Sequence, residues 1–346
     1  MKKTYLQKIR YVILIEAITV GLLLIAVNNQ KYALPAGSAT VSEETIKWVD
    51  FTVSYEALCA AYDWDVKTHD TAHEVNWIEL LAYTAARTGG KFDKEALATL
   101  DKAAKLLSEG EKTVEELVQK LKYYPYYKEA YQAVLGGLVG EYEEIYTDET
   151  GKECYRSCYG LKGYFPLAKG FAYSHYDDFG AGRSYGYERK HLGHDMMGMT
   201  GVPIIAIESG TVEALGWNQY GGWRIGIRSF DGRRYYYYAH LRQNYPYAEN
   251  LQEGSIVTAG DVIGYMGRTG YSPKENVNNI EVTHLHWGLE LIFDEKRREE
   301  GHEIWVDVYP LTCFLAKHTQ QTHKVEGTKE WVRSTYIKDP AVGNAN

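Results

Sequence analysis

The sequence reads as an α+β chain in three parts: an N-terminal membrane helix, a small helical bundle and an antiparallel β-sheet domain. Three observations predict this. A cationic end precedes a long apolar run, apolar residues then recur at helical spacing, and glycine concentrates in the second half. Of 33 glycines, 20 lie between Gly160 and Gly270. The bulk properties agree with a globular protein. The 346 residues are 45% hydrophobic and 24% charged, with a net charge of −8. That excludes a mostly disordered, collagen-like or multi-span membrane chain. No basic stripe is visible, so nucleic acid is not an expected partner. Four cysteines are too few for a disulfide-built fold.

Residues 1–42 are expected to form a cytoplasmic basic end, an anchor or signal, and a linker. Lys2, Lys3, Lys8 and Arg10 precede Tyr11 to Val27, where Glu16 is the only charge. Basic-then-apolar is the pattern of an export segment. Its length falls between a cleaved signal core of about 7–15 residues and a span of about 20. A single-pass anchor with the later domains outside the cytoplasm is the leading expectation. A cleaved signal, with small residues from Ala33 to Ala39, is the alternative.

Residues 43–147 read as the helical bundle. Asn76 can cap a helix from Trp77, ended by Gly89-Gly90. Asp93 can cap Lys94 to Glu109, stopped by Gly110. Thr113 and Glu116 have capping-box spacing. A fourth helix is expected from Tyr126 to Ile145. Short loops between amphipathic helices fit a bundle, serving as a spacer or as a binding module for a protein regulator.

Residues 160–320 read as the β domain. Runs of β-branched and aromatic residues, such as Arg224 to Ser229 and Leu285 to Phe293, alternate with glycines. Asp231-Gly232 between two such runs signals a hairpin. Residues 321–346 are expected to be a loosely ordered tail. Within the domain, Tyr235 to Tyr238 should alternate between core and opposite face. Trp217, Tyr220 and Trp223 are candidates for a groove wall, and Arg183 for orienting substrate. Cys154 and Cys158 could form a local disulfide, whereas Cys59 and Cys313 are expected buried and unpaired.

The chemistry concentrates in three clusters: His191-Leu192-Gly193-His194-Asp195, His240, and His284-Leu285-His286. On a strand, residues two apart face one way, so His284 and His286 project together. Imidazole and carboxylate suit zinc, and three such ligands with an open fourth position make a catalytic site.

These clusters resemble the M23 family of zinc metallopeptidases, the lysostaphin and LytM-like endopeptidases of bacterial cell walls. The family motifs H-x-G-x-D and H-x-H match 191–195 and 284–286. Gly210-Thr211-Val212 and Tyr238-Ala239-His240-Leu241 follow in order. Gly254, Val257, Gly260, Ile263, Gly264, Gly267, Thr269 and Gly270 complete the pattern. The resemblance covers about Arg183 to Phe293. It implies that His191, Asp195 and His286 bind Zn2+, and that His240 and His284 are the catalytic histidines. His194 fills a variable position and is not expected to be a ligand. The long segment Tyr271 to Val282 departs from the pattern and should alter the substrate groove. The implied activity is hydrolysis of peptide bonds in peptidoglycan, in stem peptide or cross-bridge. A non-hydrolytic wall-binding or scaffold protein on the same fold is the competing expectation.

Overall fold

The computed structural model describes residues 46–147, 149–184 and 188–343. The anchor or signal expected in residues 1–42 lies outside them. Among the described residues no helix is long and apolar enough to cross a membrane.

The chain begins extended, with Val49, Phe51 and Val53 buried in alternation. Five helices follow: α1 Tyr55–Thr68, α2 Trp77–Thr88, α3 Lys94–Ser108, α4 Val114–Val118 and α5 Tyr124–Leu135. Their starts obey the expected caps. Asn76 accepts from the amides of Ile78 and Glu79, and Asp93 from those of Glu95 and Ala96. Thr113 and Glu116 form the reciprocal box. Gly89 ends α2 at φ 67°, the left-handed conformation that glycine adopts without steric cost.

The fourth expected helix is corrected. It starts at Tyr124, with Pro125 in its first turn, and stops at Leu135. Gly136-Gly137 breaks it, and Gly137 lies so close to the Glu208 carboxylate that a Cβ would collide. Strand β1, Val139–Thr147, takes over and pairs along its whole length with β2, Glu153–Leu161.

The remaining strands are β3 Ser174–His175, β4 Gly182–Ser184, β5 Glu188–Lys190, β6 His194–Met197, β7 Pro203–Ile205 and β8 Gly210–Asn218. They continue with β9 Gly222–Ser229, β10 Arg234–Ala239, β11 Ile256–Val257, β12 Val262–Tyr265 and β13 His284–Leu291. The last are β14 Ile304–Val306, β15 Thr322–Lys324, β16 Trp331–Arg333 and β17 Tyr336–Lys338. Short helices α6 Glu295–Glu299, α7 Tyr309–Leu315 and α8 Pro340–Gly343 lie among them. The central antiparallel sheet runs β11-β8-β9-β10-β13-β6-β3, with β14 also on β13.

The loosely ordered tail is also corrected. β15 and β16 pair with each other, and β17 adds to β1 as β17-β1-β2. Glu330 fastens this segment by accepting from the hydroxyls of Tyr245 and Tyr265. The local Cys154–Cys158 disulfide that the sequence left open does not form. Four residues of one strand span about 13 Å, well beyond the Cα separation a disulfide tolerates. Cys59 and Cys313 are half-buried rather than buried.

One face of the central sheet is core: Ile225, Ile227, Tyr236, Tyr238, Trp287 and Leu289 are all essentially inaccessible. Helix α7 covers this face, where Thr312 accepts from the Trp287 indole. Phe314 on α7 stacks on Trp77 of α2 and meets Tyr62 of α1 edge-on. A single apolar cluster therefore runs from the helices into the sheet. The boundary expected between 147 and 160 does not divide this core. A buried arginine also reaches across it. Arg234 bonds Glu208 through Nε at 2.7 Å and donates to the carbonyl of Ala133, near the end of α5, at 2.9 Å.

Candidate active site

The opposite face of the sheet carries the chemistry. Register places Asp195 on β6 opposite His286 on β13, and His286 opposite Ala239 on β10. Alternation turns the neighbours inward, so His194 leaves the cluster. Its ring lies buried with Nε2 2.8 Å from His175 Nδ1, and burial and His175 push its pKa down to about 3. It is not grouped with the cluster at Asp195.

His191, Asp195 and His286 converge. His191 Nε2, His286 Nδ1 and Asp195 Oδ1 are mutually 3.0 Å apart. Ligand atoms around a tetrahedral zinc, at about 2.0–2.2 Å from the metal, stand about 3.3–3.5 Å apart. Two imidazole nitrogens and one carboxylate oxygen facing one point are a borderline-soft donor set that fits zinc. Burial raises the pKa of Asp195, but hydrogen bonds from His191 and His286 outweigh it and hold the carboxylate ionised. Gly193 fits the same logic. A Cβ there would stand 2.5 Å from His286 Cε1, so only glycine lets this backbone lie against the ring.

Further contacts orient these side chains. His191 Nδ1 bonds the backbone carbonyl of Asp178 at 3.3 Å, which leaves Nε2 for the centre, and the Asp178 carboxylate stands 3.2 Å from the same nitrogen. Arg183 bonds Asp178 and reaches Asp195 Oδ2 at 3.3 Å. Arg183 therefore positions a carboxylate, in addition to lining the groove. Asp178 carried no sequence signal, because it lies 13 residues before His191 and outside any motif.

His240 and His284 stand opposite the convergent triad. Their rings are 4.7 Å apart, and His284 Nε2 is 3.7 Å from Asp195 Oδ1. Each fixes its tautomer on a backbone carbonyl. His240 Nδ1 bonds Thr269 O at 2.9 Å, and His284 Nδ1 bonds Val282 O at 2.8 Å. Burial and the neighbouring His284 push the pKa of His240 far down, so its ring is neutral. His240 adopts φ 62°, an uncommon conformation for a side chain of this size. Thr269 holds that turn. Its hydroxyl donates to Leu241 O at 2.6 Å and accepts the amide of Trp223. Gly222 and Gly270 allow this approach, since a Cβ on either would strike backbone at 2.3–2.5 Å.

The site opens into a groove of about 640 Å³. Tyr271, Ile280 and Val282 line one wall, so the long segment before His284 does shape the groove. Asn276 ties that segment to β9 by accepting from the Trp223 indole at 2.9 Å. Tyr235, Tyr237 and Tyr220 also line the groove. Trp217 and Trp223 pack on each other at 5.7 Å, and neither lines it.

The chain is similar to known proteins. Residues 189–298 match the model of peptidase family M23. An L-Ala–D-Glu endopeptidase of Bacillus subtilis is 37% identical over 161 residues, 46% of this chain and 46% of that protein. Lysostaphin of Staphylococcus simulans is 37% identical over 89 residues, 25% of this chain and 17% of its own length. The chain thus spans less than half the length of these relatives. A solved LytM structure from Ruminococcus gnavus aligns with TM-score 0.50 at 23% identity, over 80% of this chain and 92% of the other, which shows the shared fold. The segment holding His191, Asp195, His240, His284 and His286 is a peptidase family M23 domain.

Proposed function

We propose that the chain is a zinc metalloendopeptidase that hydrolyses peptide bonds of peptidoglycan outside the cytoplasmic membrane. The observation that carries this reading is the convergence of His191 Nε2, Asp195 Oδ1 and His286 Nδ1 beneath two tautomer-fixed histidines. The names of the relatives, an L-Ala–D-Glu endopeptidase and lysostaphin, support the substrate class. The cationic end followed by Tyr11 to Val27 supports a single-pass anchor that places the groove on the wall side. Among the described residues the groove is lined only from Arg183 to Trp305. Helices α1 to α5 therefore leave it open, which suits a spacer or a docking module for a regulator.

A zinc ion held by the three ligands supplies Lewis-acid activation of water and of a peptide carbonyl. The chain's own residues do the rest. With Nδ1–H on a carbonyl, His240 and His284 each keep an unprotonated Nε2 in the groove. That nitrogen can take a proton from the attacking water and return it to the leaving amine. Once protonated, it donates to a developing oxyanion. Arg183 and Asp178 hold Asp195 and His191 in place through both steps.

The test is mass spectrometry of muropeptides from purified wall incubated with the full chain. New peptide termini should appear with zinc and vanish with chelator. His286→Ala should lose bound zinc and cleavage together. His284→Ala should keep zinc and lose cleavage. Unchanged muropeptides, with zinc bound and the chain retained on wall, would replace this reading with the wall-binding scaffold.

A further inference from the structure

The groove continues past the metal ligands to a cation that the hydrolytic chemistry does not use. On β9, Arg224, Gly226 and Arg228 share a face. Register puts Gly226 opposite Tyr237 and Arg228 opposite Tyr235, and β13 brings Gly288 and Glu290 beside the same tyrosines. This is the face of His286. The other arginines on it are already paired. Arg228 bonds Glu213 and Glu295, and Arg298 bonds Glu290 and Glu213. Arg183 serves Asp178 and Asp195. Arg224 has no ion-pair partner among the described residues, and its buried Nε has no hydrogen-bond partner.

Burying a guanidinium donor unpaired is costly. The surroundings make room for a partner rather than supply one. Arg224 lines the groove with Asn218, Tyr220, Gly221 and Tyr237. Ala239 presents only a methyl group between this region and His286, and Gly216 opposite Arg224 has open space where a Cβ would be. Tyr237 spans the gap, its ring 5.9 Å from His286 and 6.1 Å from Trp305. At about 4.8 Å per strand, Arg224 stands two strands, about 10 Å, from His286. A bound peptide advances about 3.3 Å per residue, so Arg224 meets a residue within about three of the cleaved bond.

We propose that Arg224 is the specificity-determining residue of the groove and binds a carboxylate of the substrate. A planar guanidinium takes a carboxylate by two parallel hydrogen bonds. The substrate is then an acidic peptide segment, not an uncharged glycine chain. The inference rests on the peptidase reading for the kind of substrate, but binding tests it without cleavage.

The experiment is calorimetric titration of the full chain, zinc-loaded and carrying His284→Ala to stop turnover. The probes are L-Ala-D-Glu-L-Lys-D-Ala, the same peptide with the D-Glu carboxylate amidated, and pentaglycine. The acid should bind at least tenfold tighter than the amide and than pentaglycine. Arg224→Gln on this background should bring the acid-to-amide ratio within about twofold, and Arg224→Lys should keep part of it. Unchanged zinc content and melting temperature show that the variants are folded. The proposal is overturned if the parent prefers neither form, if pentaglycine binds best, or if Arg224→Gln keeps the ratio. If Arg224→Gln fails to fold, the three-probe comparison on the parent still decides between these outcomes. Acid-selective binding by a chain that releases no muropeptides would uphold this inference and overturn the hydrolytic reading.

Discussion

Replacing Gly193 by alanine isolates one requirement of the proposed metal centre. The residue adds a single methyl group and no charge. That methyl would sit 2.5 Å from His286 Cε1, 2.6 Å from Nε2 and 2.8 Å from the carbonyl oxygen of Trp287. Relaxed contact needs about 3.5 Å or more, so the ring must retreat by about 1 Å. The carbonyl behind it belongs to a central strand and cannot yield as easily. His286 Nδ1 then leaves its place 3.0 Å from both Asp195 Oδ1 and His191 Nε2. Metal sites tolerate ligand displacements of about 0.2 Å. Disturbing ligand orientation alone costs about 10–100-fold in metal affinity, and loss of a ligand costs more. Gly193→Ala should therefore weaken zinc binding at least 100-fold, read by competition with a chromogenic chelator. Circular dichroism should show the sheet intact. Zinc affinity within threefold of the parent, in a folded variant, would refute the steric account of this glycine.

Asp178→Asn keeps the shape but removes the charge that faces His191 Nδ1, so zinc affinity should fall about 10–100-fold in the same competition. Thr269→Val leaves the Trp223 amide and Leu241 carbonyl without their buried partner and frees the His240 turn. It should lower the cleavage rate constant by at least tenfold while zinc content stays at one per chain, and a rate within twofold of the parent would contradict the role assigned to Thr269. Glu290 is 2% exposed, and burial pushes its pKa up to about 7 against the pull of Arg298. An acid whose folded pKa exceeds its unfolded value of about 4.3 favours the folded state at low pH and loses that advantage as pH rises through 7. Glu290→Gln should thus gain stability relative to the parent between pH 5 and pH 8, by up to about 3 kcal/mol in urea unfolding. A pH-independent difference would count against it.

The site was more legible than the fold around it. The clusters at 191–195, 240 and 284–286 stand out because metal and proton chemistry restrict residue types and because the spacing is short, and the resemblance to the family motifs is what separates His191, Asp195, His240, His284 and His286 from His194. The caps at Asn76, Asp93 and Thr113 were legible for a similar reason: a cap acts within three residues. The errors lie where distant pairing decides. Val139 to Thr147 mixes glutamate and tyrosine and has no strong period of its own. It becomes a strand because β2 and β17 lie on either side of it. The tail reads as loosely ordered because its order comes from Tyr245, Tyr265 and β1, about 65 to 195 residues away in sequence. Asp178 and Arg224 were missed because their importance lies in where their side chains meet others.

The Arg234–Glu208 pair bears on portability. Strand β10 begins at this pair beneath the end of α5 and ends beside His240. Without residues 46–138, Arg234 loses the Ala133 carbonyl, Phe314 loses Trp77 and Tyr62, and the back of the sheet meets water. A module cut at residue 160 would carry all five histidine and aspartate side chains of the centre on an uncovered apolar layer, the kind of surface that drives aggregation. Grafting this centre onto another unit therefore means moving residues 46–343 together.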